Sequence, residues 1–160
     1  MDGPIDKRLA FRKGDKMNNN AKSMVLASFI GDALALGVHW IYNTNVIDKK
    51  YGRVTDMMAP KLASFHNGKD KGELTHYGDQ TLLLLESIAS GNGFDPGRFI
   101  DDWRTFFKTY NGYIDNATQT TLKNIAAGKD MIAAGSESDD MGGLPAWYHL
   151  FICIRMIPRA

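Results

Sequence analysis

The chain is 160 residues long, about the size of one domain, with 44% hydrophobic residues, 23% charged residues and a formal net charge of +1. That near-neutral balance excludes the electrostatic footprint of a nucleic-acid binder or of a protein held on an anionic membrane surface. The lone cysteine, Cys153, excludes an internal disulfide and fits a reducing, cytoplasmic compartment.

The first segment, through Lys22, is basic and Asn-rich and has no apolar core, so it is not a signal peptide. Residues 1–19 are expected to be a disordered or weakly ordered lead-in, with folded structure from about Asn20. The longest unbroken apolar runs, 82–85 and 147–154, fall short of the roughly twenty residues that span a bilayer. Neither nucleic acid nor membrane is therefore expected as a partner.

Residues 23–36 read SMVLASFIGDALAL. Small Ala27, Gly31, Ala33 and Ala35 alternate with Met24, Leu26, Phe29, Ile30, Leu34 and Leu36, a composition suited to a buried helix that crosses its neighbours closely. A carboxylate inside it, Asp32, must be hydrogen-bonded, ion-paired or held near a metal, because water cannot solvate it there. A polar pocket or a partner side chain is the plain reading. His39 and Trp40 follow at the helix end, where the dipole favours a cationic imidazole and a Trp fills a core edge. A single His at that place reads as structural rather than as a ligand.

A short helical turn is predicted over 46–51, then a long loop over 54–71 at the mouth of a cleft. His66, Asn67 and His76 belong to this region, either as solvated polarity or as contacts to a ribose or phosphate. Asp79 is placed as the N-cap of the next helix, GDQTLLLLESIA. Capping alone explains it, yet the oxygens of Asp79, Gln80 and Thr81 also form a cluster of the kind that holds a hard cation such as Mg²⁺.

Asp95 as cap and Pro96 in the first turn open a strongly amphipathic helix, with Phe99, Trp103, Phe106, Phe107 and Tyr110 in one core-facing stripe and an end near Gly112. Adjacent Asp101 and Asp102 read as solvated. They point about 100° apart, so they cannot form a glycosidase-like carboxylate pair. A further helix starts at Asp115 or Asn116, buries Leu122, Ile125 and Ala126, and stops at Gly128. Strand signals are scarce, and the fold class is all-α with about five helices.

GDALALGVHW (31–40) and HYGDQT (76–81) together resemble the opening motifs of the ADP-ribosylglycohydrolase family. That family includes enzymes that cut ADP-ribose from modified Arg or Ser side chains, dinitrogenase reductase-activating glycohydrolases and non-enzymatic J1 crystallins. GSESDDMGG (135–143) is similar to its Ser- and Asp-rich turn before a cleft-lining helix, which makes Ser138 and Asp139 substrate-pocket candidates. The resemblance implies Mg²⁺-assisted cleavage of a glycosidic bond to ADP-ribose, carried on a modified protein or a small molecule, with two ions in the family. It assigns Asp79 and Asp32 as catalytic residues, Asp79, Thr81 and Gln80 as metal ligands, and His39 and Gly78 to the pocket.

Where family members have a metal-binding Thr, a second Asp and a Glu, this chain has Gly78, Gln80 and His39. Exchanging anionic oxygens for an amide and an imidazole weakens the hold on Mg²⁺. The expected function is an ADP-ribosylglycohydrolase-like hydrolase impaired in this chain, the alternative a non-catalytic, crystallin-like structural or interaction protein. Residues 20–143 would correspond to the N-terminal half of that fold. Residues 144–160 read as a frameshifted tail, since free wobble positions in a shifted frame allow a continuation such as P-L-I-Y-L-Y-K-D-D, or else as an apolar helix. Apolar faces left without partners by the missing half imply self-association.

Overall fold

A computed structural model describes residues 16–61, 65–130 and 133–139. Five α-helices carry them: α1 (Lys16–Ala35), α2 (Thr44–Lys50), α3 (His76–Ser90), α4 (Pro96–Phe107) and α5 (Asn116–Ala126). A 3₁₀ turn, Leu36–Val38, extends α1. No strand occurs among the described residues, and the fold is all-α as the sequence indicates. The tail from Leu144 lies outside them.

Most helix starts follow from short-range chemistry, in which a side-chain oxygen accepts an amide hydrogen that the first turn leaves unpaired. Asn43 accepts from Asn45 N at 3.0 Å before α2. Asp95 accepts from Arg98 N at 2.7 Å before α4, with Pro96 in first place. Asp115 accepts from Thr118 N at 2.7 Å before α5. Past α5, Gly128 takes a φ of +82°, the left-handed conformation that lets a chain leave a helix without Cβ strain.

The third helix departs from expectation. Its cap is Thr75, whose hydroxyl accepts from Gly78 N at 3.4 Å, so α3 begins at His76 and Asp79 lies inside its first turn. The fourth helix ends sooner than its aromatic stripe, at Phe107, and Tyr110 lies beyond it. In α5 the buried residue is Thr118, while Leu122 and Ile125 are half-buried and Ala126 is exposed.

The core gathers around α3, which packs against α4 and against the end of α1. Ala33, Leu36, Leu84, Ile88 and Ala134 are its buried apolar members. Two polar links cross the α3–α4 contact: Ser87 Oγ donates to Asp102 Oδ2 at 2.6 Å and Trp103 Nε1 donates to Gln80 Oε1 at 3.0 Å. Asp102 is therefore a bridging residue rather than a solvated one, while Asp101 keeps 70% of its side chain exposed.

The first helix is buried only at its C-terminal end; Met24, Leu26 and Ile30 are more than half exposed. Its span Asn19–Val38, 20 residues at mean hydropathy 1.5, is by length and composition apolar enough to cross a membrane. A count of unbroken apolar runs misses it, because isolated Asn, Lys, Ser and Asp residues interrupt the run without much lowering its mean.

Candidate functional site

Two carboxylates from different helices meet at the start of α3. Asp32 near the end of α1 is the partner of Thr75: the Thr75 amide donates to Oδ2 at 2.7 Å and its hydroxyl donates to Oδ1 at 2.7 Å. One threonine thus caps α3 and satisfies both oxygens of the α1 carboxylate, which explains how an Asp survives inside an apolar helix. Gly78 leaves room for that carboxylate. A Cβ built on it would lie 2.2 Å from Asp32 Oδ2, so no side chain fits there while Asp32 keeps its bonds.

Asp79, the next residue on α3, is turned about 100° away and meets a different set of donors. Lys69 Nζ lies 2.6 Å from Asp79 Oδ2, with both side chains largely buried. Tyr110 donates its hydroxyl to the same oxygen at 2.7 Å. The phenol is held well above its usual pKa, first by burial, then by the hydrogen bond to Asp79 and the charges of Asp79, Asp115 and Asp32, so it stays a donor. The Lys69 ammonium also lies 6.0 Å from the centre of the Tyr110 ring. Gly112 makes room for that ring, since a Cβ there would meet the Tyr110 hydroxyl at 2.3 Å.

The other expected ligands have local partners. Thr81 is buried, and its hydroxyl donates to the Tyr77 carbonyl one turn back at 2.7 Å. Gln80 accepts from Trp103, and its amide nitrogen lies 3.5 Å from Thr118 Oγ1. Thr118 Oγ1 in turn donates to Asp115 Oδ2 at 2.9 Å. Ser138 and Asp139 are exposed in the segment after α5.

His39 is not a lone structural imidazole. It stacks with His66, ring centroids 4.9 Å apart, and its Nδ1 shares a 2.7 Å hydrogen bond with His66 Nε2. His76, the first residue of α3, closes the group at 5.3 Å from the His66 centroid. Both His66 and His76 are 1% exposed, which corrects their reading as solvated loop residues. Trp40, Tyr77 and Tyr113 wall the group. Burial lowers the pKa of His39 against the opposing pull of Asp32. His66 is pushed down to about 4, first by burial and then by the neighbouring His39, His76 and Lys69. Trp40 reaches its place through a left-handed backbone, φ 63°, a strained conformation for so bulky a residue.

The arrangement therefore joins GDALALGVHW to HYGDQT and its preceding cap residue in space, through Asp32 with Thr75 and through His39 with His76. Comparison with known proteins finds that the model of the ADP-ribosylglycohydrolase family matches residues 13–154, a span that includes both motifs. The chain belongs to the ADP-ribosylglycohydrolase family. Among curated relatives of this family member, crystallin J1A of Tripedalia cystophora is 25% identical over 103 residues, 62% of this chain and 31% of its own length. Crystallin J1B of the same animal is 23% identical over 103 residues. An uncharacterized protein of Archaeoglobus fulgidus is 30% identical over 127 residues, 79% of this chain and 40% of its own. The chain thus spans between about a third and two-fifths of the length of these relatives.

Sequence reasoning missed Lys69, Thr75 and Tyr110 as partners of the two carboxylates. Thr75 and Asp79 are both cap-type residues four apart, and the choice between them is made by Asp32, which lies 43 positions from Thr75 in the chain. Lys69 lies in a charged loop string that gives no local sign of an acidic partner.

Proposed function

We propose that this chain keeps the ADP-ribosylglycohydrolase scaffold with Mg²⁺-assisted cleavage impaired, and that it serves as a non-catalytic, crystallin-like structural or interaction protein. One observation carries the reading: the Lys69 ammonium stands 2.6 Å from Asp79 Oδ2 and pairs the carboxylate with a cation of the chain itself. Lys69 is a cation tethered by the fold beside Asp79, whereas Mg²⁺ must be recruited from solution and gives up its water reluctantly.

Beyond Asp79 the set offers Mg²⁺ one carboxylate, already hydrogen-bonded, and two neutral oxygens, fewer anionic ligands than a hard cation favours. Asp32 accepts two bonds from Thr75, Gly78 offers no side chain, the Gln80 oxygen accepts from Trp103, and the Thr81 hydroxyl donates back to its own helix. Similarity to two crystallins of Tripedalia cystophora supports the structural role. An ADP-ribosyl group on a protein or small molecule is the ligand class for any binding that survives, and a cytoplasmic setting belongs to the same proposal.

The test is release of ADP-ribose from an ADP-ribosylated arginine substrate by the full chain, with and without MgCl₂. The expected result is no Mg²⁺-stimulated release. Turnover that rises saturably with Mg²⁺ would overturn the proposal.

A further inference from the structure

The histidine group uses none of the side chains that engage Asp32 and Asp79. His39, His66 and His76 come from the end of the 3₁₀ turn, from the loop before α3 and from the first position of α3, and one ring nitrogen from each lies within 4.8 Å of the other two. Aromatic stacking accounts for parallel rings but does not require three nitrogens to converge. Zn²⁺ bound by imidazole has Zn–N distances of about 2.0–2.1 Å, which puts neighbouring ligand nitrogens about 3.4 Å apart in a tetrahedron. The His39–His66 pair, at 2.7 Å, is tighter than that and the outer limit of 4.8 Å is looser, so the separations bracket the tetrahedral value.

The surroundings suit a metal. His76 Nε2 lies 3.6 Å from Asp115 Oδ2, and a carboxylate beside one ring nitrogen orients a ligating imidazole and raises its basicity. Asp115 is itself held by Thr118, through the amide at 2.7 Å and the hydroxyl at 2.9 Å. Trp40, Phe65 and Tyr113 pack edge to face around the group, giving it an apolar wall.

We propose that His39, His66 and His76 form a binding site for one transition-metal ion of the Zn²⁺ class. Three neutral imidazoles select Zn²⁺, Ni²⁺ or Cu²⁺ and disfavour Mg²⁺, which requires oxygen ligands. A three-histidine set leaves the fourth position for water or a ligand atom.

The test is calorimetric titration of the metal-stripped full chain with ZnCl₂ in the presence of excess MgCl₂, with Co²⁺ absorption reporting coordination geometry. One Zn²⁺ per chain is expected, unaffected by Mg²⁺, with tetrahedral Co²⁺ bands. His39→Ala, at the half-exposed edge of the group, should fold and lose about tenfold or more in affinity. His66→Gln should do the same, and if it fails to fold the His39 variant decides. His149→Ala, which removes the fourth histidine of the sequence, should bind as the parent does. Undiminished Zn²⁺ affinity in His39→Ala, loss of binding in His149→Ala, or displacement by Mg²⁺ would overturn the proposal. Because the readout is Zn²⁺ binding, its failure is separate from any outcome of the hydrolysis assay.

Discussion

A glycine decides how the two motifs fit together. The space beside Gly78 Cα is filled by the Asp32 carboxylate, so Gly78→Ala forces either Asp32 off Thr75 or α1 away from α3. Overpacking of this kind costs about 1–3 kcal/mol, and chemical denaturation of Gly78→Ala against the parent should show that loss. Equal stability would mean that Asp32 is not seated on α3. The buried imidazoles supply a second expectation at this scale. The pKa of His66 falls from 6.5 to about 4 on folding, so between those values the unfolded chain binds the extra proton. Stability of the metal-free chain should therefore be full above pH 6.5 and decline as pH falls toward 4. Melting curves of His66→Phe should show a shallower decline over that range, and parallel profiles would contradict the assignment. None of this was visible residue by residue, because the bonds that set it join positions 27 and 43 apart in sequence.

Legibility of the helices divides along the same line between local and distant causes. Asp95 with Pro96 and Asp115 were readable as starts because a cap bond spans three residues and depends on nothing else. The start of α3 was not, since Thr75 and Asp79 are equally good caps until Asp32 chooses between them. The end of α4 was misplaced because aromatic spacing continues through Tyr110 after the helix stops at Phe107, which frees Tyr110 to turn toward Asp79. Asp102 looked solvated because its partner, Ser87, lies on another helix. Ser87→Ala removes a 2.6 Å bond to a carboxylate across the α3–α4 contact. A hydrogen bond to a charged group is worth about 1.5–3 kcal/mol, and partial exposure of Asp102 should bring the loss to about 1 kcal/mol. A thermal melt checks it, and an unshifted midpoint would show that the two helices are held by apolar packing alone.

Across the whole molecule, the family and the all-α class were legible because they rest on two short motifs and on helical periodicity. The exposure of α1 was not, since its composition is that of a buried helix and only the three-dimensional arrangement shows which face is covered. Met24, Leu26 and Ile30 are 58%, 61% and 55% exposed, in a chain that spans 31% to 40% of the length of its relatives. Self-association is the expected consequence. Sedimentation velocity should show concentration-dependent dimers that Leu26→Lys weakens, whereas a monomer at every concentration would contradict it, and partition into lipid vesicles would point to a membrane instead.

Whether Lys69 takes the role of a cation at Asp79 can be read from a Mg²⁺ titration followed by thermal melting, because a ligand that binds the folded state raises its midpoint. The parent chain should melt at the same temperature with and without Mg²⁺. Lys69→Met should melt lower in the absence of the ion, its Asp79 left with the Tyr110 hydrogen bond, and should regain part of that loss as Mg²⁺ is added. A saturable rise in the melting temperature of the parent chain, matched in Lys69→Met, would show that Lys69 does not stand in for the ion.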